Sequence, residues 1–201
     1  MKEIIIATKN PGKAIEFVEM FKPLGYEVKT LLDYPELPDI PETGTTFQEN
    51  ALLKAEGIAK ILNRTVIADD SGLEIDCLNG RPGVYSARYA GEPKSDERNI
   101  QKVLEEMKDV PDEKRTAHFT CVLAVVRPDQ EPVLFEGRCD GVILREKRGE
   151  HGFGYDPIFY VPEKQKTMAE MTPAEKQSIS HRGNALKKLQ DWLFNDLKGE
   201  L

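Results

Sequence analysis

Glu42 stands in IPETG, on a stretch punctuated by Pro35, Pro38 and Pro41, while Asp69 and Asp70 close an apolar run in ADDSG. Carboxylates at the end of a strand in an α/β sheet lie where ligands usually bind. A hard divalent cation such as magnesium commonly takes one or two carboxylates and leaves its other positions to water and substrate phosphate. A carboxylate beside it can also orient or deprotonate an attacking water. The competing reading of Asp-Asp-Ser-Gly is a turn whose side chains bond the backbone.

ATKNPGK, residues 7–13, reads as a strand-to-helix join. Such a join offers free backbone N–H groups and the positive end of a helix dipole, and both suit phosphate. Thr8 and Asn10 add neutral donors and Lys13 a charge, although the GxxxxGK[ST] spacing of a P-loop is absent. Lys54 lies four residues after Asn50, on a face beside the apolar stripe, so the pair either lines a cleft or meets solvent. In GFGYDPIF, Phe153 and Tyr155 stand between glycines, which offers an aromatic ring to a base and room for close backbone approach. The plain alternative there is a hairpin entering a strand. His181 and Arg182 in SHRGNAL offer hydrogen-bond donors, or simply open a helix capped by Ser180. Donors suit a purine with an oxo acceptor at position 6 over adenine, which presents an amino donor there.

The apolar pattern supplies a frame for these groups. Glu3 to Thr8 predicts a buried strand, followed by a helix with Ile15, Val18 and Phe21 at helical spacing and Gly25 past its end. Glu27 to Leu31 reads as a second strand and Asp33 to Gly44 as a loop. Thr46 and Glu49 form a capping box for a long helix with the stripe Phe47, Ala51, Ala55, Ile58 and Leu62. Thr65 to Asp69 predicts a third strand that ends in the two aspartates, before a turn-rich stretch. Asp96 opens a helix carrying Ile100, Val103, Leu104 and Met107. Thr116 to Val126 is apolar on both faces, which predicts a central strand. Pro132 to Arg138 and Gly141 to Arg145 predict two further strands joined by a short turn. Thr172-Pro173 starts a helix with proline at its first position, and a last helix carries Leu186, Leu189, Leu193 and Leu197. Strand–helix alternation followed by consecutive strands predicts an α/β fold with a mixed sheet. One domain over residues 1–201, with two lobes, is expected rather than two independent domains.

Composition narrows the partners. Hydrophobic residues are 39% and charged residues 31%, as in soluble globular proteins. The net charge of -7 argues against a nucleic-acid binder, which needs a basic face, but not against a small anion met by a few placed cations and a metal. Cys77, Cys121 and Cys139 form no CxxC pair, so a reducing cytoplasm is expected rather than a disulfide framework or a zinc site. No signal peptide is expected of MKEIIIATKN, and no apolar stretch approaches the ~20 residues that span a bilayer.

Taken in order, ATKNPGK, ETGTTFQENALLKA, ADDSGLEID, RPGVYSARYAG, GFGYDPIF and SHRGNAL resemble the inosine triphosphate pyrophosphatase family over residues 7–186. Bacterial members of that family are dITP/XTP pyrophosphatases. The resemblance implies hydrolysis of non-standard purine nucleoside triphosphates (ITP, dITP, XTP) to the monophosphate and pyrophosphate, cleansing the nucleotide pool. It implies that Thr8, Lys9, Asn10, Pro11, Gly12 and Lys13 contact phosphate. Glu42 and Asp70 would bind Mg²⁺, with Asp70 also the catalytic proton acceptor and Asp69 in support. Lys54 would reach the triphosphate, Ser71 would contact substrate, and Arg88 would be a basic residue near the site. Phe153, Gly154, Tyr155, Asp156, Lys176, His181 and Arg182 would bind the base. An elongated mixed β-sheet with flanking helices, two lobes around a central cleft, and a homodimer are implied as well. On this reading Lys13, Lys54 and Mg²⁺ neutralise the triphosphate while a water held by Asp70 attacks the α-phosphorus. Two rivals stand beside it. One is a septum-formation-inhibitor-type pyrophosphatase acting on pyrimidine or modified nucleotides, opposed by FGYD with SHR. The other is a non-catalytic nucleotide sensor, opposed by the retained Glu42, Asp70 and Lys13.

Overall fold

The structure, a computed structural model, describes residues 2–196. Its strands are β1 Lys2–Ile6, β2 Tyr26–Thr30, β3 Val66–Ile75, β4 Thr116–Val126, β5 Val133–Ile143, β6 Phe159–Val161 and β7 Lys166–Thr167. They form one seven-stranded sheet in the order β2-β1-β3-β4-β5-β6-β7. β1 pairs in parallel with β2 and β3, whereas β6 pairs antiparallel with β5 and β7, so the sheet is mixed as expected. The α-helices are α1 Pro11–Phe21, α2 Phe47–Leu62, α3 Asp96–Glu106, α4 Pro173–Ile179 and α5 His181–Asp196. None among the described residues is long and apolar enough to cross a membrane. Cys77, Cys121 and Cys139 are free thiols.

The chain divides into two compact units. The first draws its described residues from Met1–Asp70, Cys121–Glu136 and Ala185–Leu201, the second from Ser71–Thr120 and Gly137–Asn184. In the first unit Ile4, Ile6, Phe17, Phe21, Ile67, Leu123 and Leu189 form the core. In the second, Leu73, Ile75, Val103, Met107, Phe119, Phe159 and Met168 do so. Leu186, Leu189 and Leu193 of α5 are buried as expected, and Leu197 lies outside the described residues.

Three elements depart from the sequence expectation. In α1, Ile15 is 58% and Val18 39% exposed, and the buried face is Phe17, Met20 and Phe21. Two apolar stripes overlap in this helix. The aromatic one wins the core, with Phe17 stacked on Phe21 at 6.4 Å and Tyr26 edge-on to Phe21 at 6.0 Å. β3 does not end at the aspartates. Leu73 and Ile75, fully buried two residues apart, carry the strand to Ile75, so Asp69 and Asp70 stand in its middle. β5 is a single strand where two were expected. Gly141 lies within it, because a Cβ there would come 2.5 Å from Tyr160 O and 2.7 Å from the Phe159 ring. The glycine marks a close approach of β6, not a turn. β6 and β7, three and two residues long, were too short for the apolar pattern to reveal.

Candidate active site

The first unit gathers lysines and carboxylates from four pieces of chain. Asn10 caps α1, its side chain accepting from Lys13 N at 3.2 Å, while Asn10 N donates to Thr8 Oγ1 at 3.1 Å. No acidic residue occupies the first turn of α1. Lys13 stands there instead, at the end of the helix where the dipole disfavours a cation. Its Nζ is held 2.9 Å from Asp69 Oδ2. A helix N-terminus with no acidic residue in its first turn and an added cation is an arrangement that suits an anion. Lys9 pairs with the exposed Asp39 at 2.7 Å.

Lys54 projects from α2, whose Thr46/Glu49 capping box forms as expected. Its Nζ donates to Asp69 O at 2.5 Å and lies 3.0 Å from Glu42 Oε1 and 3.8 Å from Asp70 Oδ1. The side chain is 13% exposed, which excludes the solvated-lysine alternative. Two close approaches hold the loop that carries Glu42 against α2. Ile40 lies where a Cβ on Gly57 would meet it at 2.7 Å, and Gly44 N donates to Asn50 Oδ1 at 2.8 Å. Asn50 entered the sequence reading only as a neighbour of Lys54. Its fully buried amide belongs to the carboxylate cluster, and its place one turn before Lys54 was the signal.

The electrostatics follow from burial. Desolvation works against the Lys54 ammonium, but the facing carboxylates of Asp69, Asp70 and Glu42 outweigh it and lift its pKa above the ordinary lysine value. Burial pushes the Asp70 carboxyl up to about 6; Lys54 opposes the rise and Glu42 reinforces it. Asp70 Oδ2 is buried without a hydrogen-bond partner. That orphaned oxygen, with the half-exposed carboxylate of Glu42, fits a hard cation. Among the described residues no group of three or more His, Cys, Asp or Glu could hold a metal. Glu42 and Asp70 alone would leave most positions of a hard cation to other ligands.

A second cluster lies within the second unit. Asp156 Oδ2 accepts from Lys176 Nζ at 2.8 Å and from Phe153 N at 3.0 Å. Lys176 Nζ sits 4.6 Å from the Phe153 ring centroid, and the Arg182 guanidinium 6.0 Å from the same ring. Arg182 Nη2 donates to Ser71 Oγ at 3.0 Å. The His181 imidazole stacks on Phe119, centroids 4.7 Å apart and planes at 15°. Ser180 Oγ accepts from Gly183 N at 3.0 Å, so the helix-cap reading of SHRG holds. Tyr155 stands apart from its neighbour Phe153. Its ring is in the second core and its hydroxyl donates to Ser86 O at 2.7 Å. Gly154 N donates to Asp96 Oδ2 at 2.7 Å, and Arg88 packs over the Tyr85 ring at 5.3 Å.

A family model described as the Ham1 family matches residues 4–192. A dITP/XTP pyrophosphatase of Bacillus subtilis (strain 168) is 60% identical over 193 residues, 96% of this chain and 98% of that protein. One of Bacillus cereus is 56% identical over 202 residues, 100% of this chain and 98% of that protein. Among solved structures, the Staphylococcus aureus Ham1 protein is 51% identical with a TM-score of 0.87, covering 97% of this chain and all of that one (100%). A nucleoside-triphosphatase, dITP/XTP pyrophosphatase, of Mycobacterium abscessus is 44% identical with a TM-score of 0.76, covering 93% of this chain and 98% of that one.

Proposed function

The chain belongs to the Ham1 family, and from that premise we propose that it hydrolyses ITP, dITP and XTP to the nucleoside monophosphate and pyrophosphate. It is a nucleoside triphosphate pyrophosphatase that removes non-standard purines from the nucleotide pool. Full-length likeness to dITP/XTP pyrophosphatases carries this reading.

Lys13, Lys54 and the N-terminus of α1, with Thr8, Asn10 and the Gly12 N–H, bind the triphosphate oxygens, and Pro11 shapes that turn. In the free protein Asp69, Asp70 and Glu42 neutralise the lysines; the substrate brings its own anions to them. Glu42 and Asp70 would hold Mg²⁺, which supplies charge neutralisation on the phosphates and makes nearby water easier to deprotonate. Asp70 accepts the proton of the water that attacks the α-phosphorus. Asp69 keeps Lys13 in place. Lys176, His181 and Arg182 donate to the 6-oxo acceptor, and the Phe153 ring stacks on the base. Asp156 fixes Lys176, and Ser71 fixes Arg182. The enzyme works in the cytoplasm, which the three free thiols support, and as a homodimer, which rests on the family resemblance. The net charge of -7 supports a small-molecule substrate over nucleic acid.

The test is pyrophosphate release and kcat/KM on one preparation across ITP, XTP, GTP, ATP, UTP and dTTP. ITP and XTP should be good substrates, GTP poor and ATP very poor. A site built around one hydrogen bond rejects the mismatched analogue by on the order of 10⁴-fold. A preference for UTP or dTTP would favour the septum-formation-inhibitor type, and binding without pyrophosphate release would favour a sensor.

A further inference from the structure

The N-terminal end of α3 reaches the loop that carries Phe153. Ser95 caps this helix, its Oγ accepting from Arg98 N at 3.3 Å, and Ile100 and Val103 seat it in the second core. Asn99, 2% exposed, anchors it further: its Oδ1 accepts from Ala90 N at 2.8 Å and its Nδ2 donates to Ala87 O at 3.1 Å. Asp96, the first residue of α3, stands one turn before Asn99. Its Oδ2 accepts from Gly154 N at 2.7 Å, across 58 residues of chain. The preceding amide is held as well, since Phe153 N donates to Asp156 Oδ2 at 3.0 Å. Two carboxylates from different parts of the second unit thus take two successive N–H groups, and the Phe153 backbone lies between them. Gly152 and Gly154 flank it at φ +76° and +60°. Glycine restricts the backbone least, so such a segment keeps one conformation only where something ties it. A carboxylate in the first turn also suits the helix dipole. Glu97 supplies that charge one residue later, and the dipole alone does not call for a contact with Gly154.

We propose that Asp96 is a positioning residue for base stacking: its carboxylate clamps Gly154 N and so holds the Phe153 ring where a nucleobase can lie on it. This rests on the stacking role given above to Phe153. Asp96 acts through the loop. Because every base offers a π-face to a ring, the clamp serves binding without choosing among bases.

Asp96→Ala removes the acceptor. Asp96→Asn removes the charge but keeps an oxygen for Gly154 N, and Glu97→Gln removes the other first-turn charge while leaving the clamp intact. The measurements are KM and kcat for ITP and ATP with Mg²⁺, hydrogen exchange of the Gly154 amide by nuclear magnetic resonance, and circular dichroism to confirm folding. In Asp96→Ala, Gly154 exchange should accelerate and KM for ITP rise by on the order of tenfold, as loss of a hydrogen bond to a charged acceptor warrants. Its kcat should stay within about threefold of wild type, because only binding common to ground state and transition state is lost. The ratio of kcat/KM between ITP and ATP should hold. Asp96→Asn should recover most of the KM and the protection of Gly154, and Glu97→Gln should change neither. Asp96→Ala with a wild-type KM overturns the proposal, and so does a raised KM without faster Gly154 exchange. If Asp96→Asn is as impaired as Asp96→Ala, or Glu97→Gln raises KM as much, Asp96 serves the helix by its charge and the proposal falls. A narrowed ratio between ITP and ATP overturns it too. A Gly154 amide that exchanges unprotected in the wild-type protein does so with no variant needed. If wild-type protein released no pyrophosphate from ITP, the proposed function would fail separately, and Gly154 exchange in wild type and Asp96→Ala would still decide the clamp.

Discussion

Asp70 is a carboxyl that the fold favours in its protonated form. Burial pushes its pKa up to about 6 from the ordinary carboxyl value of 3.8, which corresponds to roughly 3 kcal/mol. A carboxyl that binds its proton more readily when folded contributes stability fully below the unfolded value and loses it as pH rises through the folded value. In metal-free buffer Asp70→Asn should therefore melt higher than wild type at pH 7.5, with the gain fading as pH falls from about 6 toward 4. The same variant should lose on the order of 10²–10⁴-fold in kcat with ITP. A variant that keeps near-normal kcat would show that the proton acceptor lies elsewhere. The proposed cation site at Glu42 and Asp70 makes a second demand. Turnover should vanish with a chelator and return with Mg²⁺, and full turnover in excess chelator would remove the metal from the mechanism. For base choice, Arg182→Ala should narrow the gap in kcat/KM between ITP and ATP while Mg²⁺ dependence stays. The sequence made Lys13 and the aspartates visible because their charge is out of place: a cation in a helix's first turn, two anions in an apolar run. Tyr155 and Asn50 gave no such sign. A tyrosine between glycines reads the same whether its ring serves a base or a core, and an asparagine beside an apolar stripe reads the same whether it lines a cleft or meets solvent.

Elements carry these side chains, and α2 carries the most. Its capping box and most of its buried stripe were legible because helical periodicity and cap chemistry are local, whereas Lys54 read as well for solvent as for a cleft. The loop packed on it was not, since Gly57 and Ile40 meet across seventeen residues of chain and nothing local links them. Gly57 provides a test in which the sign of the effect decides. Gly→Ala inside an exposed helix usually stabilises by about 1 kcal/mol. Here the added Cβ would sit 2.7 Å from Ile40 Cδ1 and displace the loop that carries Glu42. Gly57→Ala should show no rise in melting temperature and a raised Mg²⁺ concentration for half-maximal activity. A clear rise in melting temperature with unaltered Mg²⁺ dependence would show that the loop is not held there. The strands erred in the opposite direction. Small and acidic residues at 69–72 and a glycine at 141 looked like strand ends, because turn chemistry and mid-strand function use the same residue types. Only pairing with neighbouring strands, a non-local fact, shows that β3 and β5 run through.

At the scale of the molecule the two cores are separate sets of side chains, but the chain does not separate with them. The unit boundaries fall between residues 70 and 71 in β3, 120 and 121 in β4, 136 and 137 in β5, and 184 and 185 in α5. Each of these elements thus has one end in either unit, and melting one unit must fray three strands and a helix that the other uses. A single cooperative transition is expected, and the chain holds its own reporter for it. Trp192, the one tryptophan, packs on the first core with its ring 5.6 Å from Phe135. Met107 is fully buried in the second core. Met107→Ala should cost about 2–5 kcal/mol, which at roughly 2–4 °C per kcal/mol for a chain of this size lowers the melting temperature by about 4–20 °C. If the units unfold together, Trp192 fluorescence must report that whole shift although the substitution lies in the other core, and its midpoint must coincide with that of far-UV circular dichroism. A Trp192 midpoint that stays at the wild-type temperature while the circular dichroism transition moves or splits would show that the second unit melts by itself.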